Sequence, residues 1–243
     1  MDVILLAGFW LDGSSWAAQA SALERAGHRV HAPTLPGLAD GDGADIGLQE
    51  QIDAVVALID AAEGPVVLVG HSGGGNVAWG AADARPDRVA HVVFADAVPP
   101  PAGSAINDEL PVIDGRVPFP EDRAAFFDEQ ELIGFTEADL ERFVADAIPV
   151  PARVASDPIV LRDERRRDIP ITVIATTISP AQIDQLIEAG HPIASELAAV
   201  RDRTIIDLPT SHWPQLTRPE DTARILVETV DGVAPRAGGD AAS

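Results

Sequence analysis

The sequence of 243 residues holds no cysteine and no lysine, and a single methionine. Without cysteine there is no disulfide scaffold, no thiolate zinc site, no Fe–S cluster and no thiol nucleophile. Without lysine the only cations besides histidine are arginines, which are poor proton carriers. Basic residues are scarce as well: 17 against 39 acids, a formal charge of −22. A phosphate backbone or an anionic bilayer surface needs a basic footprint, so nucleic acid and membrane are not expected partners. Long hydrophobic runs are missing, and no segment approaches the roughly 18–20 apolar residues that span a bilayer. The opening run Met1–Gly8 is short and carries Asp2 where a signal peptide carries a base. It reads as a first strand, and the expected location is cytoplasmic.

What is present is a globular composition, 46% hydrophobic, in a length that suits one domain or one domain with an insertion. Short apolar runs alternate with helical patterns. Val3–Ala7, Arg29–Pro33, Val66–Gly70 and Val89–Ala95 read as strands, and Ser15–Ala26, Leu48–Ala62 and Gly73–Ala84 as the helices between them. Strands rich in Val, Ile and Leu, with no polar alternation, are buried on both faces, and helices cover those faces in a parallel α/β sheet. The rhythm breaks at the proline-rich stretch 99–122, continues as two helical stretches near 121–132 and 136–147, and reaches the charged run Arg162–Asp168. That run interleaves acids with bases and reads as a solvated turn with internal ion pairs. The βα pattern returns with Ile171–Thr176, a helix near Pro180–Ala189, a strand at Thr204–Leu208 and a helix at Pro219–Val230. The organisation is therefore one domain: a core of 1–100 and 168–230, a cap inserted at 101–167, and a frayed tail at 231–243 rich in Gly, Ala and Pro. An insertion at the C-terminal ends of parallel strands lies over the usual ligand crevice. There is no internal repeat.

The segment Val66–Asn76 contains G-x-S-x-G as Gly70, Ser72 and Gly74, between an apolar strand and a helix. Ser72 is expected on a strained strand-to-helix turn, with the glycines leaving room for the turn and the helix N-terminus favouring developing negative charge. A phosphate loop would want a Lys near its end or a G-x-G-x-x-G spacing, and the segment has neither. A serine hydroxyl needs a base to take its proton. Of the six histidines, His212 lies after the last strand and before the last helix, where a loop reaches the same sheet edge as Ser72. It is the expected general base and acid.

With Leu6–Trp10, Gly70–Gly74 and Ser211–Pro214 in view, the chain resembles the α/β-hydrolase superfamily, and within it the small esterase-like group that opens with a strand, a Gly-aromatic turn and a Trp-bearing loop. The resemblance covers the core and does not reach the cap. It implies a mostly parallel sheet with helices on both faces, a helical cap, and a triad in the order Ser, Asp or Glu, His. The family usually carries its acid just after the strand Ile171–Thr176, but here no carboxylate occurs until Asp184. A minority moves the acid one strand earlier, where Asp96 closes a strand; Asp96 is the expected acid, with Asp184 or a dyad without acid as the remaining options. The resemblance also implies an oxyanion hole from the backbone N–H groups of Phe9 and Gly73, although Ala7-Gly8 stands where many relatives carry His-Gly. Trp10 and Trp213 adjoin the oxyanion turn and the histidine, and with His71 they are expected at the substrate. Trp79 and most of Phe126, Phe127, Phe135 and Phe143 are expected in the core, with one or two of the phenylalanines facing the pocket from the cap.

Taken together these features predict a serine hydrolase that cleaves an ester, lactone or thioester of a small, uncharged, partly apolar substrate, with no metal and no organic cofactor. Two alternatives remain open. One is a lyase on the same scaffold, similar to hydroxynitrile lyases; the other is a small-molecule receptor that keeps the triad. The oligomeric state is not readable from the sequence.

Overall fold

The computed structural model describes residues 1–39 and 43–233. Its main sheet has six strands: β1 (Asp2–Leu6), β2 (Arg29–His31), β3 (Val66–His71), β4 (Val89–Ala95), β7 (Ile171–Ala175) and β8 (Arg203–Asp207). They are ordered β2-β1-β3-β4-β7-β8, and every pairing is parallel. The central strands β1 and β3 are buried at every position, which explains their unbroken apolar character.

Side chains alternate across such a strand, so the sheet feeds two separate cores. Ile4, Leu6 and Leu68 pack with Ile52 and Trp79 on the side of α2 (Leu48–Ala61) and α3 (Gly73–Ala84). Val3, Leu5, Val67 and Val69 pack with Leu23 and Leu226 on the side of α1 (Ala17–Arg25) and α10 (Pro219–Gly232). The chain leaves β1 outward to β2 and then returns to β3 on the other side. This reversal opens a crevice at the C-terminal ends of β1 and β3, the place where such sheets bind ligands.

Between β4 and β7 the chain forms short elements: an antiparallel pair of β5 (Arg116–Val117) and β6 (Val150–Pro151), with α4 (Arg123–Phe126), α5 (Glu137–Asp146) and α6 (Ala152–Ser156). The first expected helix, 121–132, is broken into α4 and a 3-10 turn at Glu129–Leu132. Glu131 restarts the chain there by accepting from the Asp128 N–H at 2.9 Å. Thr136, as expected of a helix opener, caps α5 by accepting from the Asp139 N–H.

The run Arg162–Asp168 is not wholly solvated. Arg166 is buried and pairs with Asp83 at 3.0 Å and Glu196 at 2.7 Å, while Asp83 also accepts the backbone N–H groups of Arg162 and Asp163. A buried carboxylate on α3 needs compensating donors, and the inserted segment supplies them as it re-enters the sheet. At the other end, α10 continues through Gly232, two residues into the expected tail 231–243, of which 234–243 lie outside the described residues. Among the described residues no helix is long and apolar enough to cross a membrane.

Candidate active site

Parallel strands present all their C-terminal ends at one edge, and the loops leaving β1, β3, β4, β7 and β8 meet there. Ser72 follows β3 directly, with φ +50° and ψ −126°, a backbone geometry that L-residues rarely hold. The turn closes because its glycines have no side chains. A Cβ on Gly70 would stand 2.6 Å from the Gly74 carbonyl oxygen, and one on Gly74 would stand 2.6 Å from the carbonyl oxygens of Leu6 and Ala7. Helix α3 therefore starts against β1 and β3 with Ser72 at its tip.

His212 Nε2 lies 2.8 Å from Ser72 Oγ, and His212 Nδ1 lies 2.6 Å from Asp96 Oδ2. An ionised carboxylate only accepts, so Nδ1 carries the hydrogen toward Asp96, and Nε2 is left to accept from the Ser72 hydroxyl. Asp96 follows β4 with φ +44°, its N–H donating to Ile174 O on β7. Burial pushes its carboxyl up, but the hydrogen bond and charge of His212, with donation from Thr177 and Thr176, outweigh that and hold it at about 2. Asp184, the other carboxylate weighed from sequence, is exposed on α7 (Pro180–Glu188) and takes no part in these contacts.

Thr177 is a member of the site that the sequence did not reveal. It occupies the end of β7 where a carboxylate was sought, donates its N–H to Asp96 Oδ1 at 3.0 Å, and places Oγ1 within 3.0 and 2.9 Å of the two carboxylate oxygens. The Thr176 N–H adds a donation at 3.2 Å. The signal available beforehand was a pair of threonines at that vacant position.

Phe9 and Gly73 are adjacent: the position a Cβ would take on Gly73 lies 3.0 Å from the Phe9 ring. Gly73 opens α3, and the N–H groups of a first helical turn have no intrahelical acceptor. The amide of Phe9 likewise donates to no group among the described residues.

Trp10, Trp213 and His71, expected at the substrate, do not line the cavity beside Ser72. Ser72 and His212 open into a cavity of about 600 Å³ whose walls include Val98, Pro101, Ile106, Ile178 and Ile193. Trp10 and Trp213 are 5% and 1% exposed. They join Phe119, Phe127 and Phe143 in an aromatic cluster with ring centroids 4.9–6.0 Å apart, which locks the segment between β4 and β7 onto the core. The same segment holds the histidine loop by its backbone, because the His212 N–H donates to Glu131 O at 3.0 Å. Trp79 is in the core, fully buried.

His71 is fully buried and donates Nε2–H to the His212 carbonyl oxygen at 2.7 Å. Burial, and then the neighbouring His212, lower its pKa to about 3. His91 is lowered to about 4, chiefly by burial. Both start from an ordinary value of 6.5, at which the unfolded chain takes up protons that the folded protein refuses. Stability therefore falls as pH drops from about 6.5 toward 4.5, before the carboxylates begin to contribute. Denaturant midpoints measured across that window should decline, and His71→Gln, which keeps a donor for the His212 carbonyl, should flatten the slope. A midpoint constant with pH in the parent contradicts this.

Comparison with known proteins gives a consistent result. A sequence profile described as the alpha/beta hydrolase family matches residues 3–225. The carbendazim hydrolyzing esterase of a Nocardioides species is 34% identical over 177 residues, covering 70% of this chain and 68% of that protein. The pyrethroid hydrolase of Sphingobium wenxiniae is 26% identical over 253 residues, covering 96% and 89%. Among solved structures, an extracellular alpha/beta-hydrolase from a Paenibacillus species superposes with a TM-score of 0.75 over 98% of this chain and 100% of that one, at 22% identity, a likeness of fold.

Proposed function

The chain belongs to the alpha/beta hydrolase family, a hydrolase acting on esters like its relatives, and we propose that Ser72, His212 and Asp96 carry that activity as a catalytic triad. The observation behind this reading is the unbroken hydrogen-bonded line from Ser72 Oγ through the His212 ring to Asp96, at 2.8 and 2.6 Å, facing a largely apolar cavity.

Ser72 Oγ attacks the substrate carbonyl carbon while His212 Nε2 takes the hydroxyl proton. Asp96 keeps the hydrogen on Nδ1 and stabilises the imidazolium that results. The carbonyl oxygen becomes an oxyanion and receives the N–H groups of Phe9 and Gly73, with the N-terminal end of α3 behind them. His212 returns its proton to the leaving oxygen, the C–O bond breaks, and the acyl group stays on Ser72. Water then attacks the acyl carbon as His212 takes its proton, and the acid leaves with Ser72 restored. Of the expected cap, residues 101–167, Pro101, Ser104, Ala105 and Ile106 line the cavity. The substrate is uncharged and partly apolar, since the cavity walls are mostly aliphatic.

A panel of p-nitrophenyl esters of rising chain length, run beside lactones and a thioester, tests this reading. Turnover of short to medium esters is expected, with none after treatment by a fluorophosphonate; no turnover of any member would defeat it. A lyase lacks support, because no arginine lines the cavity among the described residues and the sequence has no lysine.

Thr177 acts as a positioning residue through Asp96. Thr177→Val removes the hydroxyl donor but leaves the backbone one, and kcat should fall several-fold to about 10-fold with KM nearly unchanged. Thr177→Ser should restore it. Equal kcat in all three proteins would remove Thr177 from the mechanism.

A further inference from the structure

Among the described residues, one polar side chain lining the cavity beside Ser72 has no hydrogen-bond partner within the protein. The cavity wall holds six residues with polar side chains: Ser72, Asn76, Asp96, Ser104, Thr177 and His212. Ser72, His212 and Asp96 bond to one another, Thr177 bonds to Asp96, and Ser104 Oγ donates to Pro101 O at 2.8 Å. The carboxamide of Asn76 makes no hydrogen bond among the described residues. It is half-buried, and the walls of the cavity it lines include Ala97, Val98 and Ile106.

An amide left unpaired against aliphatic walls is costly once a substrate displaces the water around it, unless that substrate supplies partners. Asn76 also has a defined place. It sits in the first turn of α3 and lines the same cavity as Ser72 at that helix's tip, and four residues of helix rise only about 6 Å. A group reaching Asn76 is therefore only a few bonds from the carbonyl that Ser72 attacks. The carboxamide offers a donor and an acceptor together, and the group that matches both is another amide edge.

We propose that Asn76 is a specificity-determining residue, selecting esters that carry an uncharged amide-type group a few bonds from the scissile carbonyl. This rests on the ester-hydrolase reading above and narrows its substrate class. A purely alkyl ester of the same length leaves the carboxamide unpaired and is disfavoured, the pattern expected when a site built for a hydrogen bond meets an analogue without one.

The test compares two length-matched pairs. In the first the amide lies in the acyl part: p-nitrophenyl N-acetylglycinate against p-nitrophenyl pentanoate. In the second it lies in the alcohol: 2-acetamidoethyl butanoate against pentyl butanoate. The amide-to-alkyl ratio of kcat/KM is measured for the parent, Asn76→Leu and Asn76→Ala. Intrinsic reactivity differences between esters cancel when ratios are compared across proteins. In at least one pair both variants should lower the ratio by about 10-fold, the worth of one or two hydrogen bonds. Ratios within twofold of the parent in both pairs would overturn the assignment of Asn76 and leave the ester reading standing. A Ser72→Ala protein as active as the parent would remove the ester mechanism itself, and the proposal with it. Near-parental melting temperatures of the two variants separate a lost contact from a lost fold.

Discussion

Ser72→Ala should give a folded protein that takes up no fluorophosphonate and whose ester turnover is lower by roughly 10⁴–10⁶ in kcat, the range found when a triad nucleophile is removed. The loss is large because the other hydroxyls lining the cavity, Thr177 and Ser104, are bonded elsewhere and not to His212. Ser104 also faces the cavity, but its Oγ donates to the Pro101 carbonyl and no imidazole is bonded to it. Residual activity would come from donors that remain: the amides of Phe9 and Gly73 and the end of α3. Mass mapping of the labelled parent decides the matter directly. A probe found on Ser104, or unchanged turnover in the variant, would show that the wrong hydroxyl has been identified.

Asp96→Asn should cost about 10⁴ in kcat while preserving the fold. The asparagine can still accept from the Thr176 and Thr177 N–H groups, so the β4–β7 junction stays in place. Its NH₂ group, however, meets His212 Nδ1 and forces the ring hydrogen to Nε2, where it can no longer accept the Ser72 proton. Asp184→Asn, on the exposed side of α7, should leave kcat within twofold. Kinetics on the two purified variants distinguish the assignments. Damage from the Asp184 change with a harmless Asp96 change would relocate the acid.

The parts of the site legible in the sequence were those whose constraint is local. Gly70 and Gly74 are required by atoms a few residues away or on the adjoining strand, so strand, turn and helix announce themselves together. The placement of His212 followed from chain order in a parallel sheet. The proposed acid was harder, because Asp96 and Asp184 are chemically identical on paper. Only the register of β4 against β7, which ties the Asp96 N–H to Ile174 O, separates them. The direction of the tryptophans was not legible at all. Neighbouring a reactive residue in sequence says nothing of which side of the backbone an indole takes, and Trp10 and Trp213 turn toward the phenylalanines between β4 and β7 rather than toward the cavity. The cavity wall escaped for a related reason: Pro101, Ile106, Ile178 and Ile193 come from separate loops and share no periodicity. Arg166 looked like its neighbours in a charged run, and only the burial of Asp83 and Glu196 sets it apart.

Of the four non-glycine residues with left-handed backbone among the described ones, three are Trp10, Ser72 and Asp96, at +63°, +50° and +44°. Each such conformation costs on the order of 1–3 kcal/mol, and a glycine would adopt it freely. At Trp10 a glycine would empty the aromatic cluster and lose more than the strain it relieves, but at Ser72 and Asp96 thermostability and the proposed catalysis pull in opposite directions. A directed-evolution campaign that rewards survival of heating alone will drift toward glycine there and accumulate robust, inert proteins. Libraries built from this scaffold should freeze those positions and seek their gains elsewhere.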